Sequence, residues 1–191
     1  MPAEETQNKK KESQAMPNWC DNRLTIRGKE EDILAFRKQI EDSAVKNPNK
    51  KACLFQTFMP TPEEMLDTIS PNTDQEKAKY LIEKYGSADW YDWQIQNWGI
   101  KWGCNDLDWE DDKPFKTTEK GVYQISVHYN TPWGPGEECL KAIFEAKENL
   151  SFFLVYEEEG MGFAGNLFVK NGITERQEET QSIAKDIESV W

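Results

Sequence analysis

The stretch GVYQISVHYNTPW, residues 121–133, restricts the fold more than any other. Tyr123, Ile125, Val127 and Tyr129 alternate with Val122, Gln124, Ser126 and His128, the period of two that a β-strand divides between its faces. GPGEECLKAIFEAKENL (134–150) then changes period, with Leu140, Ile143, Phe144 and Ala146 at the spacing of a helix stripe. A strand followed at once by an amphipathic helix buries both apolar faces by laying the helix on the sheet.

The same succession opens the chain. NRLTIRG (22–28) reads as a strand with Leu24 and Ile26 on one face, ended by Gly28. KEEDILAFRKQIEDSAVK (29–46) reads as a helix through Ile33, Phe36 and Ile40, with acidic residues in its first turn. A short apolar strand is expected over 53–58, halted by Pro60 and Pro62, then a helical turn at 63–69 and a helix over 74–86. An aromatic segment follows, with Trp90, Trp93, Trp98 and Trp102 and then Trp109 inside NDLDWEDDKP, which reads as an acidic loop. SFFLVYEEEG and GFAGNLFVKNG read as a hairpin turning near Gly160, and 173–191 as a polar helix with Ile183, Ile187 and Val190 along one side.

This order predicts an α+β fold, a ferredoxin-like sandwich of two βαβ units. Its antiparallel sheet carries helices on one face, and a Trp-rich helical insertion falls at about 60–115. The expected organisation is a disordered extension over 1–15, a ferredoxin-like domain over 16–172, and an acidic C-terminal helix over 173–191.

Composition narrows the chemistry. A net charge of −12 argues against binding to nucleic-acid backbones and favours a basic protein partner. No apolar run approaches the roughly 20 residues of a membrane span, and the first residues form no signal peptide, so a cytoplasmic location is expected. Cys20, Cys53, Cys104 and Cys139 are widely spaced with no C-x-x-C pair, which predicts free thiols and neither a zinc site nor a disulfide framework. No metal and no cofactor are expected.

The chemical motifs are weak. Cys20 and His128, the single histidine, make a conceivable nucleophile–base pair without an orienting third group. The carboxylates at 106–112 fail the EF-hand pattern, which wants Gly and Glu where Asp111 and Thr117 stand. EEEGMGFAG precedes a strand and so forms no phosphate cradle, and TPWGPG reads as a helix start. Tyr123, Tyr129 and the tryptophans are conceivable platforms for stacked bases.

Several blocks together resemble a known family. MPNWCDNRLTIRG, FMPTPEEM, WYDWQIQNWGIKW, YNTPWGPGEECL and VYEEEGMGFAGNLFVKNG follow one another as they do in the YubB-type ferredoxin-like proteins, also called Api-like. The resemblance runs from Met16 to about Gly172 and implies a ferredoxin-like fold and an origin on a bacterial plasmid, phage or genomic island. It supplies no reaction. It departs from the family at Ile100, where Thr is usual, at Gly103 and Cys104, where an acidic residue is usual, and at Gly136, where Pro is usual. The N-terminal Trp and Cys read as a plug closing one end of the core.

A binding role is therefore expected over an enzymatic one, with no catalytic residues. The expected partner is a basic host protein that handles nucleic acid or serves defence. It would be held by an acidic surface of Asp106, Asp108, Glu110, Asp111, Asp112, Glu175, Glu178 and Glu179. The other reading is a cleft for a small molecule or single-stranded nucleic acid, or the pocket of a small enzyme, lined by Trp98, Lys101, Trp102, His128 and Trp133.

Overall fold

The computed structural model describes residues 17–46 and 51–181. The expected extension over 1–15 lies outside them. In chain order come β1 (Trp19–Gly28), α1 (Glu30–Lys46), α2 (Leu54–Phe58), α3 (Glu63–Leu66), α4 (Gln75–Tyr85) and α5 (Trp90–Trp98). Then follow β2 (Asn105–Trp109), β3 (Phe115–Lys116), β4 (Tyr123–Pro132), α6 (Glu137–Glu145), β5 (Leu150–Glu158), β6 (Phe163–Lys170) and β7 (Ile173–Gln181). One sheet has the order β2-β4-β1-β5-β6-β7, with β3 also paired to β4, and its pairs are antiparallel.

Alternation in the strands decides which face is covered. Leu24 and Ile26, Ile125 and Val127, Phe152 and Leu154, and Leu167 and Val169 are all buried on one side. Phe152 joins the layers: its ring stacks on Phe144 of α6 at 4.3 Å and tilts against Phe36 of α1 at 5.3 Å. Both helices therefore lie on the same face. Burial of side chains this size contributes about 1.5–3 kcal/mol each, which makes this layer the main stabilising contact.

The chain passes from β1 through five helices to β2 with β4 lying between the two strands, and from β4 through α6 to β5 with β1 between. Three expected elements differ. Residues 53–58 form a helix, not a strand: Thr57 and Met59 donate their amides to the carbonyls of Cys53 and Phe55. A short apolar run is ambiguous between the two, and here Leu54 and Phe55 are both buried within one helical turn. The expected acidic loop contains β2, because Leu107 and Trp109 pack on the core while Asp108 is exposed.

The expected terminal helix is replaced, over its described part, by β7; residues 182–191 lie outside the described residues. Asn171 (φ +50°) and Gly172 (φ +79°) form the tight turn that returns the chain along β6. The free edge of β6 then supplies backbone partners to a segment whose composition favours helix.

Candidate functional site

Three of the quoted sequence blocks meet at one end of the sheet, where β1 begins, β4 ends and β2 begins. Trp19 sits opposite Pro132, Asn105 opposite Asn130, and the Trp133 amide donates to the Asn18 carbonyl at 2.8 Å. Asn22, buried, fastens this end from inside: its Nδ2 donates to Thr131 Oγ1 at 2.8 Å and to the carbonyls of Cys20 and Tyr129. Cys20 is fully buried there as a plug, whereas Trp19, expected to share that role, is 37% exposed.

Beside it stands a cluster of rings around one ammonium group. Lys101 Nζ lies 3.9 Å from the ring centroid of Trp102, 4.4 Å from that of Trp133 and 5.8 Å from that of Tyr91. The two indoles are 6.0 Å apart and inclined by 36°. Trp102 is 53% exposed and Trp133 39%, yet both have left-handed backbone, φ +66° and +63°. For a bulky residue that conformation costs about 1–3 kcal/mol and persists only where surrounding contacts impose it. At Trp102 the contact is Gln94, buried on α5: its Oε1 accepts from the Trp102 amide at 2.8 Å, and its Nε2 donates to Thr61 Oγ1.

The structure thus assembles Lys101, Trp102 and Trp133 from the expected cleft and leaves out the other two. Trp98 is a core residue, donating Nε1–H to the Met59 carbonyl and packed edge-on against Trp93. His128 stands on the uncovered face of the sheet, five residues before Trp133, about 16 Å of strand away. Tyr91 is the member that sequence reading missed. Its signal in the sequence is its place in the block WYDWQIQNWGIKW, one residue into α5.

His128 belongs to a different group. Glu110 Oε1 accepts from Arg23 Nε and from His128 Nε2 at 2.6 Å, and Oε2 accepts from Arg23 Nη2 at 2.9 Å. The Arg23 guanidinium holds the Glu110 carboxyl below the usual carboxylate range, so His128 is the donor of its pair. Cys20 faces the helices, and its burial pushes the thiol up to about 12. Cys20 and His128 therefore sit on opposite faces of the sheet, and the conceivable pair is not formed.

The acidic surface does not form as one patch. Asp106 and Asp108 fall on β2, with Glu110, Asp111 and Asp112 just after it, and Glu175, Glu178 and Glu179 fall on β7. Those strands are the two sheet edges, five strand spacings or about 24 Å apart. Glu110 is neutralised by Arg23, and Arg37 Nη1 caps the carbonyls of Asp111 and Asp112.

The uncovered sheet face carries a shallow cavity of about 300 Å³ lined by Thr25, Arg27, Ser151, Phe153, Phe168 and Arg176. Phe153 and Phe168 meet edge to face at 6.1 Å, and Arg176 lies over Phe153. These rings stand on the open face. Tyr129, expected there, is buried among the core residues, and Tyr123 packs against them. Among the described residues no cluster of His, Cys, Asp or Glu is arranged to hold a metal, and no helix is long and apolar enough to cross a membrane.

Residues 98–188 match the family model described as the ferredoxin-like domain in Api92-like protein. The match takes in Lys101, Trp102 and Trp133. A crystal structure of a protein api92 from Yersinia pseudotuberculosis is similar in fold, with a TM-score of 0.50 at 10% sequence identity over 87% of this chain and 99% of that one. No curated protein matches.

The positions at which the chain departs from the proteins it resembles have local reasons. Ile100 is buried, where a hydroxyl would need a partner. Gly103 (φ +69°) lies so close to Cys53 that a Cβ would come within 2.7 Å of its sulfur. Gly136 also has φ +69°, which proline, fixed near −65°, cannot adopt.

Proposed function

We propose that the protein works by binding a partner protein, not by catalysis, and that Tyr91, Lys101, Trp102 and Trp133 form the centre of the contact surface. One observation carries this reading: two tryptophans stay exposed on left-handed backbone, held at Trp102 by buried Gln94 and at Trp133 by the Asn18 carbonyl. A fold under selection for stability alone has no use for that strain. Trp and Tyr dominate binding hot spots because a large rigid ring buries much area for little lost entropy. Lys101 already occupies the place that a guest cation would take between the rings, which speaks against a small cationic ligand. The net charge of −12 serves long-range steering of a basic partner, with the carboxylates of both sheet edges contributing. The resemblance to proteins of plasmids and phages makes a protein of the bacterial host, in its cytoplasm, the partner to seek.

The test is a pull-down from host lysate with the full chain and with a Trp102→Ala/Trp133→Ala variant. A protein enriched by the first and lost by the second supports the reading. A protein retained by that variant but lost when Glu175, Glu178 and Glu179 are neutralised moves the surface to the β7 edge and sinks it.

The uncovered sheet face supports a second reading, base stacking on Phe153 and Phe168 between Arg27 and Arg176. Binding of a labelled single-stranded oligonucleotide, lost in a Phe153→Ala/Phe168→Ala variant, would establish it.

A further inference from the structure

Cys53 and Cys104 stand 51 positions apart in the chain and are both free and buried. The fold brings their sulfurs together. The amide of Leu54 donates to the Cys104 sulfur at 3.2 Å, and the amide of Cys104 donates to the Cys53 sulfur at 3.3 Å. Gly103 allows this approach, since a side chain there would strike the Cys53 sulfur. The pair also has a way out: Cys53 and Cys104 line a cavity of about 500 Å³ that reaches Trp102, with Gln56, Gln94 and Asn105 as polar walls.

We propose that Cys53 and Cys104 form a reversible dithiol–disulfide couple, oxidised by hydrogen peroxide that enters through this cavity. The couple does not depend on the binding surface proposed above. Cys53 is the attacking sulfur. The neighbouring Cys104 side chain and the Cys104 amide favour its thiolate and lower the Cys53 thiol below its ordinary value, while burial pushes the Cys104 thiol up. Cys53 attacks one peroxide oxygen, the O–O bond breaks, and the departing hydroxide takes up the Cys53 proton as water. The Cys104 sulfur then attacks the Cys53 sulfenic sulfur, the S–O bond breaks, and the Cys104 proton leaves with that oxygen as a second water. Two thiols are oxidised by two electrons and one peroxide is reduced. The bond ties the start of α2 to the start of β2. Cys20 and Cys139, both pushed up to about 12 by burial, stay thiols, and the Cys139 thiol rests on the Met59 sulfur at 3.7 Å.

The experiment treats the folded full chain with hydrogen peroxide, alkylates the remaining thiols, and maps the peptides by mass spectrometry. The expected product is a Cys53–Cys104 cross-linked peptide about 2 Da lighter than the sum of its parts, returned to two alkylatable thiols by dithiothreitol, with Cys20 and Cys139 alkylated throughout. Three results overturn the proposal. One is a chain whose four thiols all resist peroxide when folded but react when unfolded in guanidinium. Another is a cross-link between any other two cysteines. The last is Cys53 oxidised to sulfinic acid with Cys104 still free.

Discussion

Trp102 and Trp133 lie 6.0 Å apart across two loops, both in a backbone conformation that tryptophan rarely adopts. Neither ring is driven there by burial. Trp102 is held by the Gln94 side chain, and Trp133 by the amide it donates to Asn18. Rigid, exposed rings on strained backbone are what a recognition surface needs, and they bear on stability in a distinctive way.

Trp102→Gly or Trp133→Gly is expected to change unfolding free energy by no more than about 1 kcal/mol, because relief of strain offsets the lost ring contacts and the entropy of glycine. Trp98→Ala, in the core, is expected to lose about 3–5 kcal/mol. Urea denaturation of the three variants checks this. A loss above 2 kcal/mol at either exposed position would make that ring a packing residue.

Gln94→Leu should cost about 1–3 kcal/mol, since it strands the Trp102 amide and the Thr61 hydroxyl in a buried site. The same change should release Trp102, seen as stronger iodide quenching of tryptophan fluorescence. Unchanged quenching would mean that Gln94 does not hold the ring in place.

Glu110 gives a pH dependence of known sign. Its carboxyl is lowered by Arg23, so the stability it adds is complete above the unfolded value of about 4.3 and is lost as pH falls through the lower folded value. The pair is partly solvated, which limits the effect to about 0.5–1 kcal/mol. Glu110→Gln should lower stability at pH 7 by that amount and match the parent in strong acid. Thermal melts at pH 7 and below pH 3 decide it: an equal gap at both would place the loss in packing.

Gly165 of β6 lies directly across from Tyr156 of β5, whose ring covers it so closely that a Cβ would strike the hydroxyl. Gly165→Ala is expected to destabilise by at least about 2 kcal/mol, because a Cβ also meets the Tyr156 Cζ and the Glu178 carbonyl, and to cost less when Tyr156→Ala has removed the ring. A double-mutant cycle in urea measures the coupling. Additive losses would mean that the ring moves aside freely.

This pairing shows why the resembling blocks carry so much of the fold. Gly165 and Tyr156 come from the same quoted stretch, and the glycine exists to admit the ring. In the same hairpin, Glu158 is buried and accepts the amides of Gly160 and Met161, closing the turn. Asn22 of the first block does equivalent work at the same end of the sheet, where β1 begins beside this turn. Much of what looks like signature in this sequence is therefore packing.

The sequence by itself determined the elements whose periodicity is long and clean. β4 with α6, β1 with α1, and the β5–β6 hairpin follow from apolar side chains repeating at the period of a strand or a helix, and that repeat needs no knowledge of neighbours. Tertiary structure decided the rest. Residues 54–58 became helix because the site buries Leu54 and Phe55 together, and 173–181 became strand because β6 offered an open edge. It also decided which residues meet: Lys101 with Trp133, His128 with Glu110, Cys53 with Cys104. A local pattern fixes which face a side chain takes, but only the path of the whole chain sets what lies opposite.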